Sequence, residues 1–201
     1  MAIFKQRSLN LLLSLPCSLV FLMSAPAISQ ETITWKEDVK GWSINVDTTI
    51  DYGCFMSAAY DGGAVLRAQL NPTDDIFQFI IGNGAWQSLE SGKLYDMKIQ
   101  FGNLEPWTGL ATAHRFNDQL PVLVFDLFFE EGKADSFINE FMRMTGVRVF
   151  YSGNEIANLS LRGTYDAFQE VMACQSQMME RINNSADPFS NPSNSSSDPF
   201  E

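Results

Sequence analysis

Two cysteines, Cys54 and Cys174, constrain the fold of this chain more than any other feature of its sequence. They lie about 120 positions apart. Cys54 opens an alternating segment that is typical of a β-strand, whereas Cys174 lies in a Met-rich segment with the spacing of a helix. A bond between them would attach the last helix to an early hairpin, so the residues between them would form one closed unit.

The first 29 residues have the three parts of a secretory signal peptide. Lys5 and Arg7 precede an apolar run over residues 9–23, and small residues follow it. Residues 27–29 fit the cleavage rule, and residues 25–27 offer a second site. The apolar run has about 15 residues, fewer than the roughly 20 that span a bilayer, which favours cleavage over a retained membrane anchor. We expect a periplasmic or secreted protein with no transmembrane segment after cleavage.

Export determines how the cysteines are interpreted. Cys17 lies within the leader and leaves with it, so two cysteines remain in the mature chain. In an oxidising compartment, an even number of distant cysteines is most simply a structural disulfide. The alternative is a reactive thiol activated by His114, the single histidine, but a nucleophilic thiolate needs a nearby base and protection from oxidation. We predict a disulfide between Cys54 and Cys174.

The mature chain is strongly acidic. Removing the leader leaves 11 of the 13 basic side chains and all 24 acidic ones, a net charge of −13. This balance argues against nucleic acid as a partner, because binding to phosphates depends on Lys and Arg. It favours a basic protein or a cationic envelope ligand as the partner.

Most of the mature chain has the alternation or the short apolar runs of β-strands. One hairpin is predicted over residues 54–70, with its turn at residues 61–63, and a second over residues 107–128, with its turn at Asn117-Asp118. Residues 76–81 form a continuous apolar run, which is typical of a central strand. Further strands are expected at residues 32–35, 42–46, 93–101, 147–151 and 156–161.

Two segments have helical spacing. A helix of about ten residues is predicted from Asp135, and Gly146 provides its C-cap. In the final helix, one stripe facing the core is predicted from the spacing, with Cys174 and Met178 on its flank. The predicted stripe consists of Phe168, Val171, Met172, Gln175, Met179 and Ile182.

These elements predict an α+β fold over residues 30–182, built as a single domain. It would contain a mainly antiparallel sheet of about eight to ten short strands, with one short helix and a C-terminal helix packed on it. Residues 183–201 are rich in Asn, Ser and Pro and contain Asp-Pro-Phe twice. Such a composition cannot bury enough apolar surface to offset ordering, so a disordered tail is predicted.

The sequence offers few options for catalysis. It contains no EF-hand loop, P-loop or nucleophile elbow, and a zinc site needs more donors than His114 alone, so we predict no metal and no cofactor. A hydrolase that uses His114 or a pair of carboxylates stays open, because folding can bring distant residues together. The missing motifs favour a protein that is not an enzyme.

Aromatic residues near turns are the remaining candidates for binding. Trp86 and Trp107 lie beside glycine and proline, where an aromatic side chain can contact a sugar or a partner protein. A candidate binding face therefore comprises Trp86, Trp107 and His114. The alternative is that both tryptophans are part of the core.

Several segments of the chain resemble a group of small exported bacterial proteins with no assigned activity. The segments are residues 83–89, 92–95, 101–107 and 159–164 together with Cys174-Gln175. This resemblance implies an exported α+β domain and carries over no site. The leading hypothesis is a non-enzymatic envelope protein that binds another protein or a surface ligand. A narrower version is an inhibitor or immunity-type protein whose acidic surface binds a basic enzyme or toxin.

Overall fold

The computed structural model describes residues 32–116, 119–130 and 132–184. Within these residues, ten strands form one antiparallel sheet and two helices pack on it, which confirms the predicted α+β fold. The strands are β1 (Thr32–Val39), β2 (Trp42–Asp47), β3 (Gly53–Ala59), β4 (Ala64–Asn71), β5 (Ile76–Asn83), β6 (Leu94–Phe101), β7 (Trp107–Phe116), β8 (Leu120–Phe128), β9 (Gly146–Tyr151) and β10 (Asn154–Ser160). The helices are α1 (Lys133–Arg143) and α2 (Thr164–Asn184).

Some predictions concern residues outside this described part of the chain. They are the signal peptide, the Asn117-Asp118 turn itself and the tail beyond residue 184. Both predicted hairpins are confirmed. The strands on either side of residues 61–63, β3 and β4, pair with each other, and so do the strands on either side of Asn117-Asp118, β7 and β8. The predicted central strand, β5, lies between β4 and β8.

The order of the strands in the sheet departs from their order in the sequence. The sheet runs β1-β2-β3-β4-β5-β8-β7-β6-β9-β10. The first five strands are sequential neighbours, but β8 pairs with β5, so the β6–β7–β8 meander enters the sheet in reverse. Helix α1 then connects β8 to β9, which pairs with β6. This arrangement places β7 and β8 in the middle of the sheet.

The core lies between the sheet and the two helices. Alternate strand residues point towards the helices, and rings from β5, β6 and α1 form a cluster of edge-to-face contacts. Its members with almost no exposure include Phe77, Phe79, Phe101, Phe137 and Phe141. Trp107 of β7 and Phe125 of β8 also contact Phe137, so the cluster holds α1 against the middle of the sheet.

Helix α2 is attached to the sheet by the predicted disulfide. Cys54 on β3 and Cys174 on α2 are bonded, with their Cα atoms 6.1 Å apart, and both are fully buried. The main-chain N–H of Cys54 also donates to Oε1 of Gln175, at 2.8 Å. The bonded pair leaves no free thiol at either position, so the reactive-thiol alternative does not describe this structure.

The predicted apolar stripe of α2 was partly wrong. Met172, Met179 and Ile182 are exposed, whereas Cys174 and Met178, which were placed on the flank, are buried. The buried side of the helix is centred near Val171 and is shifted towards Cys174, which must face the sheet to bond with Cys54 on β3. Neither of the described helices has the length and apolar content needed to cross a bilayer.

Residues in β2 and just after β3 also contact the end of β10 and the segment that follows it. The indole Nε1 of Trp42 donates to the carbonyl of Arg162 at 3.0 Å, and the hydroxyl of Tyr60 donates to the carbonyl of Ser160 at 2.8 Å. Burial raises the pKa of Tyr60 to about 12, because the phenolate form would lose its hydration. The two ends of the sheet are therefore connected through side chains.

Candidate binding groove

Strands β7 and β8 pair over only half of their length. Their ladder runs from the pair Phe116–Leu120 to the pair Thr112–Val124 and ends there. Beyond that point, residues 107–111 of β7 pair only with β6, and residues 125–128 of β8 pair only with β5. The two strands separate like the arms of a fork, which we call the β7–β8 fork.

Main-chain groups from both arms point into the fork. Two hydrogen bonds show the direction of these groups on β7. The carbonyl of Phe116 accepts from the N–H of Gln119, on the β8 side, whereas the N–H of Ala113 donates to the carbonyl of Lys93, on the β6 side. Successive residues of a strand point their main-chain groups to opposite sides, so even-numbered residues of β7 point towards β8. On β8, Leu120, Val122 and Val124 pair with even-numbered residues of β7, so by the same alternation its even-numbered residues point towards β7. The groups facing the fork are therefore those of Thr108, Leu110, Asp126 and Phe128.

Aromatic rings close the bottom of the fork. The ring of Phe125 lies against Gly109, where a Cβ atom would come within 2.7 Å of it, so only glycine allows this approach. Trp107 packs edge-on against Phe137 of α1, with ring centroids 5.4 Å apart, and its Nε1 donates to Oε2 of Glu140 at 2.7 Å. The rings seal the core, which makes the fork a groove with an apolar floor.

The resulting cavity, which we call the fork groove, has a volume of about 870 Å³. Four carboxylates and one lysine line it: Glu105, Asp126, Glu130, Glu140 and Lys133. Within residues 32–116, 119–130 and 132–184, no group of three or more acidic, His or Cys side chains is close enough to hold one metal ion. The four carboxylates come from different elements: Asp126 from β8, Glu140 from α1, Glu105 from the segment before β7 and Glu130 from the segment after β8.

The exposure of these side chains differs. Glu105 and Glu130 are exposed, and neither forms an ion pair with another residue that the structure describes. Glu140 is half-buried and holds Trp107. Phe128, at the end of β8, leaves 59% of its surface exposed beside the groove. The fork groove thus combines a negative rim, an apolar floor and an exposed ring.

The structure does not bring the three residues of the predicted binding face together. Trp107 lines the fork groove, on the side of β7 that faces the helices. Trp86 lies in the β5–β6 connection, partly buried beside Tyr95 and Tyr151 in a different cavity of about 390 Å³. His114 points away from the helices into a third cavity. Whether any of the three contacts a ligand stays a prediction.

The cavity at His114 contains a polar network across four strands. Nη2 of Arg67 donates to Oδ2 of Asp47 at 2.6 Å, Gln69 bonds to Gln78, and Nε2 of Gln78 donates to Oδ1 of Asp126 at 2.7 Å. Burial alone would raise the pKa of the Asp47 carboxyl, but hydrogen bonds from Thr49 and Arg67 outweigh it and lower that pKa. The network therefore gives the charged groups of Asp47, Arg67 and Asp126 hydrogen-bond partners within the sheet.

His114 itself is exposed and lies at the edge of this network. Its imidazole forms no hydrogen bond with another residue in the described part of the chain. The described residues lining its cavity include one hydroxyl, that of Thr49, which donates to Oδ1 of Asp47 at 2.5 Å. A nucleophilic mechanism requires a nucleophile within hydrogen-bond distance of its base. Among the described residues, no hydroxyl or thiol is hydrogen-bonded to the imidazole of His114.

One comparison with known proteins bears on the fold. The crystal structure of invasion associated protein B from Bartonella henselae matches with a TM-score of 0.50 and 11% sequence identity, over 68% of this chain and 94% of that chain. At this identity the likeness shows the fold alone. No protein-family model matches the chain, and no curated protein sequence matches it. The chain therefore has a fold that is also found in a bacterial protein.

Proposed function

We propose that this protein is an exported, non-enzymatic binding protein that holds a cationic segment of another protein in the fork groove. The observation that carries the proposal is the composition of the groove, where four carboxylates and one lysine surround a floor of Trp107 and Phe125. Binding sites on proteins commonly combine aromatic anchors with a polar rim. Lysine and arginine segments supply both a long apolar stem and a positive charge for such a site.

Export is part of the same proposal. The buried bond between Cys54 and Cys174 fits an oxidising compartment such as the periplasm or the exterior. The leader at residues 1–29 has the composition of a signal peptide. A net charge of −13 after cleavage would attract a basic partner over distances of about 10 Å at moderate salt.

Calorimetric titration with octalysine tests the proposal, with octaglutamate as the probe of opposite charge. Neutralising the two exposed carboxylates in Glu105→Gln/Glu130→Gln should weaken octalysine binding. Exposed ion pairs contribute about 0.2–1 kcal/mol each, so the loss should be about 2- to 30-fold and should shrink at high salt.

A matched control removes the same charge elsewhere. Glu37 on β1 and Glu155 on β10 are exposed and lie on strands outside the fork groove. The variant Glu37→Gln/Glu155→Gln should therefore bind octalysine like the wild type. Equal weakening by both double variants would mean that only the net charge matters, and the fork groove would lose its role.

A further inference from the structure

The β7–β8 fork leaves strand edges inside a sheet without a partner strand. An unpaired edge presents a row of N–H and C=O groups, which bond to water until another strand pairs with them. Here Thr108 and Leu110 face Asp126 and Phe128 across the gap, and neither arm contains a register shift. Both edges are regular enough to form a β-ladder.

The outer edges of the sheet differ from the fork in this respect. The β1–β2 ladder has register shifts between Thr34 and Val39, and the β9–β10 ladder has one between Glu155 and Ala157. Such bulges disrupt pairing and protect exposed edges from added strands. Among the described strands, the fork therefore offers the more regular template.

We propose that the cationic segment binds in an extended conformation, as an added strand that continues the sheet within the β7–β8 fork. This inference rests on the proposed function and specifies the shape of its partner. Side chains of a strand alternate between two faces, so every second residue would face the floor of Trp107 and Phe125. The residues between them would face the side of Asp126. The segment that fits is one in which apolar and basic residues alternate.

The probe is an octapeptide of alternating lysine and valine, compared with the same octapeptide N-methylated at every second residue. Both peptides carry the same charge, but the methylated one lacks half of its main-chain donors. If the segment adds as a strand, methylation at either the lysines or the valines should weaken binding about tenfold. Hydrogen exchange at Thr108, Leu110, Asp126 and Phe128 should slow when the unmodified peptide binds.

A variant of β7 tests the same contact from the protein side. The N–H of Thr108 points into the fork and takes no part in the β6 ladder, so Thr108→Pro removes a donor while that ladder is kept. The variant Thr108→Val keeps the donor and is the matched control. Thr108→Pro should weaken peptide binding severalfold more than Thr108→Val does, because only the proline variant loses the main-chain donor. If Thr108→Pro does not fold, the comparison of methylated and unmodified peptides on the wild-type protein tests strand addition instead.

The outcomes separate the two proposals. Equal binding of the methylated and unmodified peptides, with the four amides unchanged, would overturn strand addition while leaving the cationic groove intact. Failure of octalysine and the alternating peptide to bind would overturn the proposed function as well. Slow exchange of the four amides in the free protein would mean that this chain or a second copy already fills the fork, which would also overturn strand addition.

Discussion

Removing the bond between Cys54 and Cys174 is expected to lower the free energy of unfolding by about 5 kcal/mol. The two residues are 120 positions apart, and a closed loop of that length restricts the unfolded chain by about 16 cal/mol/K in the chain-entropy model. Domains are typically stable by about 5–15 kcal/mol, so this bond supplies a large share. The melting temperature should fall by about 10–20 °C.

Denaturation by guanidinium chloride measures this loss. The variants are Cys54→Ala, Cys174→Ala and the double variant, with reduced wild type as a fourth sample. Alanine is preferred to serine because both positions are fully buried and a hydroxyl there would lose its hydration. Each single variant removes the same bond, so the double variant should lose no more than either one.

Additive losses in the double variant would refute the bond. A total loss below about 1 kcal/mol would instead refute the role of the disulfide in holding α2 on the sheet, since helix packing alone would then suffice. The reduced wild type distinguishes loss of the bond from loss of the sulfur atoms. It should unfold at the same denaturant concentration as the variants.

Three further predictions concern single side chains. Because burial raises the pKa of Tyr60 to about 12, stability should be lost as pH rises from about 10 through 12, and Tyr60→Phe should remove this loss in thermal melts. Because the pKa of Asp47 is lowered, its carboxylate stabilises the fold above about pH 4. The difference in unfolding free energy between wild type and Asp47→Asn should therefore shrink as pH falls through that lowered pKa, and a constant difference would contradict this. Gly109→Ala should cost about 1–3 kcal/mol in chemical denaturation, because its Cβ would overlap Phe125; an unchanged stability would mean that the ring moves freely.

The elements of the fold were predictable because their signals are local. Alternation and turn residues indicated both hairpins, and the continuous apolar run indicated the central strand, β5. The disulfide was predicted from the expected export and from an even number of distant cysteines, and the structure confirms it. The stripe on α2 was predicted from helical period alone, which did not take into account that a bonded Cys174 must face the sheet; the buried side is therefore shifted towards Cys174.

The fork groove could not be predicted, because it depends on which strands are neighbours. The sequence indicated a hairpin over residues 107–128, but no local signal shows that its ladder ends at Thr112 and Val124. The one local hint was Gly109, an otherwise unexplained glycine in the middle of a strand, which often marks a close approach. Trp107 was a candidate from its position beside a proline, while Glu105, Glu130 and Glu140 were indistinguishable from other acidic residues.

The most direct test of the fork groove is a map of amide chemical shifts during titration with octalysine. The structure predicts that the largest changes cluster at Thr108, Leu110, Asp126 and Phe128, with a change at the Trp107 indole N–H that Glu140 holds. It also predicts little change at Trp86, which lies in a different cavity. Changes spread evenly over the acidic surface, or centred on Trp86, would contradict the assignment of the binding site to the β7–β8 fork.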